Sequence, residues 1–206
     1  MSRGLWVLIG IICLCVGVPK WLNRPIRYAP GVRSRLAPLQ TPATKEPFKM
    51  GDFTITPLAD YDIRARVLDT QRYGYGTEAE LSPIDFCVGW SSASDQANVD
   101  QMNISISDRF ATFMPKGEMT FDISDVADLI ANMHLIPETD MVKGDLLRVK
   151  VGQFVRLRGW LVEIHRPDGW HWKSSLTRED SGNGACEVMV VWSCDVFDPN
   201  SEGSRP

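Results

Sequence analysis

The strongest constraint on the fold is the stretch KVGQFVRLRGWLVEIHRPDGWHWKSS at residues 150–175. Its apolar residues alternate with polar ones, which is the period of a half-buried strand. The alternation changes phase at Gly159, which predicts a β-bulge at that residue. The Pro-Asp-Gly sequence at 167–169 is typical of a turn, so residues 154–165 and 170–175 are predicted to pair as an antiparallel hairpin.

Alternating patterns elsewhere predict further strands. FTITPL is a short candidate, and YDIRARVLDT at 61–70 places Ile63, Ala65 and Val67 on one face. MNISISDRFATFM at 102–114 predicts one or two strands. The last predicted strand, ACEVMVVWSCD, has five residues of one parity, which are expected on one face: Cys186, Val188, Val190, Trp192 and Cys194.

Two segments predict helices. DISDVADLIANMHLIP at 122–137 has apolar residues at helical spacing, namely Val126, Leu129, Ile130 and Met133. His134 then follows an amphipathic helix, where the helix dipole favours a histidine. A second helix is predicted to start at Pro137, since proline is common at the first helical position.

These elements predict an α+β domain of mainly antiparallel strands, with one or two helices covering one opening. The sequence G-x-x-V-x-L-x-G at 152–159 resembles the opening of a small barrel such as the OB fold, which implies that the sheet is curled. More broadly, MHLIP and WKSSLTREDSGNGACE have counterparts in a family of bacterial membrane-anchored proteins of unknown function, which the chain resembles. That resemblance implies no activity.

The N-terminus predicts a single-pass membrane anchor over residues 1–22. An uncharged apolar run from Gly4 to Val18 approaches the length of a transmembrane helix if Lys20 snorkels to the interface. A cleaved signal peptide is the alternative, but no A-x-A site follows the run. Basic residues after the run favour, by the positive-inside rule, an inner (cell) membrane protein with a cytoplasmic body.

Composition divides the remaining chain into a basic, proline-rich tether (23–49), a globular domain (50–198) and a disordered tail (199–206). Residues 1–50 contain eight basic residues and one acidic residue, whereas the rest contains 14 basic and 25 acidic residues. An acidic body repels phosphate backbones, which argues against general nucleic-acid binding.

The glycine-rich loop after the hairpin is the first candidate binding surface. Backbone amides around SGNG can approach an anion closely, and an arginine can clamp a carboxylate or phosphate. The plain alternative is a solvent-exposed turn in which Arg178 pairs with a neighbouring acid. The predicted ligand-binding residues are Trp170, Trp172, Arg178, Asp180, Asn183 and Glu187.

A second hypothesis is a hydrolase or transferase that uses Cys186 or Ser175 as nucleophile, with His134 and Arg178. No G-x-S-x-G or protease-type cysteine context supports it, and the strand parity of Cys186 is that of an inert core residue. A third hypothesis is a single-strand nucleic-acid binder on a small barrel, which requires exposed Trp170 and Trp172 in a basic groove.

His165 and His171 flank the hairpin turn and could face each other, but two histidines without a C-x-x-C motif do not predict a metal site. No phosphate loop or dinucleotide fingerprint occurs, so no cofactor is predicted. The leading expectation is a membrane-tethered, non-catalytic binding module that presents its acidic domain to a protein partner or a small anionic ligand.

Overall fold

The computed structural model describes residues 24–177 and 186–200. Its strands are β1 (Leu39–Pro42), β2 (Phe48–Met50), β3 (Phe53–Arg72), β4 (Ile84–Gly89), β5 (Met102–Ser107), β6 (Phe110–Pro115), β7 (Ile130–Pro137), β8 (Phe154–His165), β9 (His171–Lys173) and β10 (Glu187–Phe197). Its helices are α1 (Thr77–Leu81), α2 (Gln96–Val99), α3 (Ser124–Ala127) and α4 (Asp140–Arg148), with a 3₁₀ turn at Ser91–Ser94. The fold is therefore α+β and rich in strands.

Five strands form a ring in the order β3-β4-β7-β10-β8, and β8 pairs back with β3. The pairs are antiparallel except β7 with β10, which run parallel. β1 and β2 pair with β3, β9 pairs with β8, and β5 and β6 form a separate hairpin. The strands differ greatly in length, from 20 residues in β3 to 6 in β4, so the ring is not a clean barrel.

The predicted hairpin is confirmed, with β8 and β9 paired through Glu163–Lys173, Ile164–Trp172 and His165–His171. Its turn contains Gly169 at φ 93°, a conformation that favours glycine. The predicted strand face in β3 is confirmed as well, since Ile63, Ala65 and Val67 are buried in the core inside the ring.

The helix predicted over 122–137 is wrong beyond its first turn. The helix α3 ends at Ala127, and β7 begins at Ile130 between β4 and β10. Both faces of β7 are covered, so most of its residues are buried and its apolar positions fit a helical period as well as a strand. The segment forms a strand because it pairs with β4 on one edge and with β10 on the other. Pro137 accordingly ends β7, and α4 begins at Asp140 after its N-cap Thr139.

The bulge predicted at Gly159 lies instead in the neighbouring strand. β10 shifts register between Val191 and Ser193, opposite Gly159 and Arg158. β8 itself alternates without interruption, and its apparent phase change arises because a second core covers its other face at Val162 and Ile164. The shift also separates the predicted face of β10: Val188 and Val190 join the second core, whereas Cys194 packs against the first.

Residues 24–49, predicted to be a tether, run extended along the domain and contribute β1 and part of β2. The Ile26 amide donates to the Val151 carbonyl, and the buried Arg66 guanidinium donates to the Ile26 carbonyl. Within the described ranges, no helix has the length and apolar character needed to span a membrane. The anchor predicted over 1–22 and residues 201–206 of the predicted tail lie outside the described residues.

Candidate active site

A buried group of polar side chains lies where β4, β7 and β10 meet. β4 and β7 pair with Asp85 directly opposite His134. β7 and β10 pair in parallel with Glu187 beside Met133, which brings the preceding residue, Cys186, next to Asn132. The sheet register therefore gathers an acid, an imidazole and a thiol from three separate parts of the sequence.

His134 occupies the centre of this group. Its Nδ1 lies 2.9 Å from Oδ2 of Asp85, in an ion-pair contact whose geometry is not that of a directed hydrogen bond. Asp85 is fully buried and His134 is 4% exposed. Burial alone lowers the pKa of His134, but its interactions with Asp85 and Cys186 raise it to about 9. The imidazole is therefore protonated at neutral pH, between a carboxylate and a sulfur.

Arg109 holds the other side of the Asp85 carboxylate. Its Nη1 donates to Asp85 Oδ1 at 2.9 Å, and its Nη2 donates to the Ser82 carbonyl at 3.0 Å. The guanidinium lies 3.9 Å from the ring centroid of Tyr73. Arg109 sits in the tight β5–β6 turn at φ 67°, a strained conformation for a residue with a side chain. The turn therefore directs Arg109 at the buried acid.

Asn132 supports Cys186 from the same strand as His134. Its Nδ2 donates to Cys186 Sγ at 3.2 Å and to the Arg109 carbonyl at 2.6 Å. The amide thus links the thiol to the turn that carries Arg109. A donor next to sulfur also stabilises negative charge at that position.

Cys186 and His134 line an open cavity of about 670 Å³, within the size range of small-molecule sites. Trp172 forms one wall, and its ring centroid lies 4.9 Å from that of His134. The remaining lining residues are Tyr73, Glu78, Asp108, Arg109, Phe110, His171 and Lys173. Cys186 is therefore a thiol with access to a cavity, not the buried core residue that its strand parity predicted.

The other two cysteines of the described domain, Cys87 and Cys194, do not line this cavity. Burial raises the pKa of the Cys194 thiol to about 12, and burial also raises the pKa of Cys87 well above its usual range. All three are free thiols. No disulfide therefore links these three cysteines of the described residues.

The structure brings together only some of the residues that the sequence predicted. His134, Cys186 and Trp172 line the same cavity, and the ring of Trp170 packs beside that of Trp172 with a centroid separation of 5.9 Å. Ser175 lies apart from this lining: it is buried, and its hydroxyl donates to the Thr177 carbonyl and accepts from the Thr177 amide. Glu187 is also buried and does not line this cavity. Arg178, Asp180 and Asn183 lie outside the described residues.

Three residues of the site were missed from the sequence: Asp85, Arg109 and Asn132. The signal for Asp85 was an acid within the apolar run IDFCVGW, because a buried carboxylate needs a partner. The sequence carries no comparable signal for Arg109 or Asn132, whose roles depend on contacts across strands. A second group, which shares His171 with the cavity lining, has metal-ligating side chains close together, namely Glu163, His165 and His171.

No protein-family model, curated protein or solved structure matches this chain.

Proposed function

We propose that the chain is a membrane-tethered thiol enzyme, an acyl hydrolase or acyltransferase with Cys186 as its nucleophile. The observation that carries the proposal is the position of His134, which contacts the buried Asp85 and lines the same cavity as the thiol of Cys186. A nucleophile, a base and a residue that orients the base are the three parts of this kind of catalysis.

Each residue has a role that follows from its contacts. Asp85 faces Nδ1 of His134, so it orients the ring and leaves the other nitrogen for sulfur chemistry. An imidazolium beside sulfur is the arrangement that maintains a reactive thiolate. Arg109 fixes the orienting carboxylate and Asn132 donates to Sγ, so both are positioning residues.

The reaction that these groups support is acyl transfer through a thioester. The Sγ thiolate attacks a carbonyl carbon, the bond from that carbon to the leaving group breaks, and His134 gives its proton to the leaving group. His134 then accepts a proton from water or from an acceptor nucleophile that attacks the thioester. The second attack breaks the bond between sulfur and the carbonyl carbon, which releases the acyl group and regenerates the Sγ thiolate beside the protonated His134.

The cavity favours a largely uncharged acyl group. Trp172, Tyr73 and Phe110 supply aromatic surface, while the charge of Arg109 is directed at Asp85. The positive charge of Lys173 is offset by the negative charges of Glu78 and Asp108 in the same lining. A lining of this kind is not a basic groove, so it weighs against the single-strand nucleic-acid hypothesis.

The finer architecture that we propose is an OB-like barrel. Five strands close a ring. Along the chain, α4 lies between the third of these strands, β7, and the next, β8. OB folds are five-stranded, partly open barrels that bind ligands across one face and its flanking loops. The cavity likewise lies against ring strands and the β8–β9 hairpin. This likeness concerns architecture, because a fold does not determine activity.

We further propose that residues 1–22 anchor this domain to the cell membrane, with the domain on the cytoplasmic side. The length of the apolar run and the basic residues that follow it support this placement. The substrate would then be reached at, or close to, the membrane surface.

The test is alkylation of Cys186 by iodoacetamide in the full-length chain in detergent, with the four other cysteines replaced by serine. We expect labelling at pH 7 to be at least about tenfold faster than in a His134→Asn variant, because the variant lacks the imidazolium. His165→Asn is the matched control and should label like the parent. Incubation with p-nitrophenyl acetate should also leave an acetyl group on Cys186, detected by mass spectrometry.

Labelling only after denaturation, or equal rates in the parent and His134→Asn, would overturn the enzyme proposal. The non-catalytic binding module expected from the sequence would then be the better account. In that case the cavity beside Trp172 would be its ligand site.

A further inference from the structure

The β8–β9 hairpin presents three metal-ligating side chains near its turn. His165 and His171 face each other as a cross-strand pair, and Glu163 precedes His165 by two residues on the same strand. Residues two apart on a strand lie on the same face, so the hairpin aligns a carboxylate with two imidazoles. The positions of these three side chains are therefore set by strand pairing and not by a flexible loop.

The ligand atoms are close enough to share one ion. Nε2 of His171 lies 2.8 Å from Glu163 Oε1, and Nε2 of His165 lies 3.6 Å from the same oxygen. The two imidazole rings stack with their centroids 4.6 Å apart. One ligand atom from each of the three residues lies within 4.8 Å of the other two. Small side-chain rotations would point all three atoms at a common centre.

The chemistry of the three groups selects the class of ion. Imidazole suits zinc, copper, nickel and iron, whereas magnesium and calcium prefer oxygen ligands. Two histidines and a glutamate form a ligand set that zinc enzymes use, with a fourth position open to water.

We propose that Glu163, His165 and His171 form a binding site for a divalent transition-metal ion of the zinc class. His165 and His171 are exposed, so an ion reaches them from solvent. Lys173 opposes Glu163 across the hairpin, and its positive charge weakens the expected affinity for a cation. His171 also lines the cavity that contains Cys186, so the ion would stand at its rim. The site does not depend on the proposed thiol chemistry.

The test is titration of the full-length, EDTA-treated chain in detergent with CoCl₂, followed by visible absorption, and with ZnCl₂, followed by calorimetry. The chain must carry a purification tag without histidines, because its own histidines number three. We expect one ion per chain, and at least about tenfold weaker binding in each of Glu163→Gln, His165→Gln and His171→Gln. His134→Gln is the matched control, since it removes the third histidine but none of the three proposed ligands.

Three outcomes would overturn the proposal: no binding at micromolar metal, binding unchanged in both His165→Gln and His171→Gln, or binding lost in Cys186→Ser. The last outcome would place the ion on the thiol instead of the hairpin. Circular dichroism of each variant distinguishes loss of the site from loss of the fold.

Discussion

The pH dependence of stability offers a sharp test of the site, because comparison with a His134 variant isolates the contribution of one buried histidine. The pKa of His134 rises from 6.5 to about 9 in the folded protein. The imidazole of His134 thus binds its proton more tightly in the folded state than in the unfolded state. Its stabilisation is fully present below pH 6.5 and is lost as pH rises through 9. The difference corresponds to about 3 kcal/mol, since one pKa unit is worth about 1.4 kcal/mol.

The assay is urea unfolding of the full-length chain in detergent, monitored by tryptophan fluorescence between pH 6 and pH 10. The free energy of unfolding should fall by about 3 kcal/mol more in the parent than in His134→Gln over this range. His165→Gln, which changes an exposed histidine, should retain the parent's slope. Equal slopes in the parent and His134→Gln would refute the ion pair. A parent that gains stability with rising pH would instead indicate a histidine buried in its neutral form.

Two further predictions follow from contacts near the ring. Asp85→Asn should lower the free energy of unfolding by about 3–5 kcal/mol, because Arg109 and His134 then face each other without the buried carboxylate. Thermal melts measure this loss, and an unchanged melting temperature would contradict the prediction. Gly159→Ala should cost about 2 kcal/mol or more, because an added Cβ would collide with the Val190 backbone. Gly74→Ala, with open space around its Cβ, is the control and should melt like the parent.

Local patterns predicted the parts of the fold that depend on neighbouring residues. The hairpin of β8 and β9 carries both its alternation and its turn chemistry in one continuous stretch. The buried face of β3 likewise follows from period-two alternation. The prediction for the segment that forms β7 failed because both faces of this strand are covered, so its sequence shows no clean period. The register shift in β10 could not be predicted from its sequence either, because a register shift exists only in the pairing of β10 with β8.

The site was predicted only as separate residues. His134 and Cys186 were named as candidates, but no local signature linked them or added Asp85. Asn132 and Cys186, which contact each other, are 54 residues apart in sequence. Contacts at such separation depend on strand order and register, which short-range patterns do not encode.

The sequence by itself determined that this chain is strand-rich, that its body is acidic, and that an uncharged apolar run lies between Gly4 and Val18. These properties follow from composition and local periodicity. Tertiary structure alone decided that the strands close into a ring and that β7 pairs in parallel with β10. That parallel pair places a thiol beside a histidine whose antiparallel partner is a buried acid. The physical reason is that hydrogen-bonded register converts distant sequence positions into neighbours only once the sheet has formed.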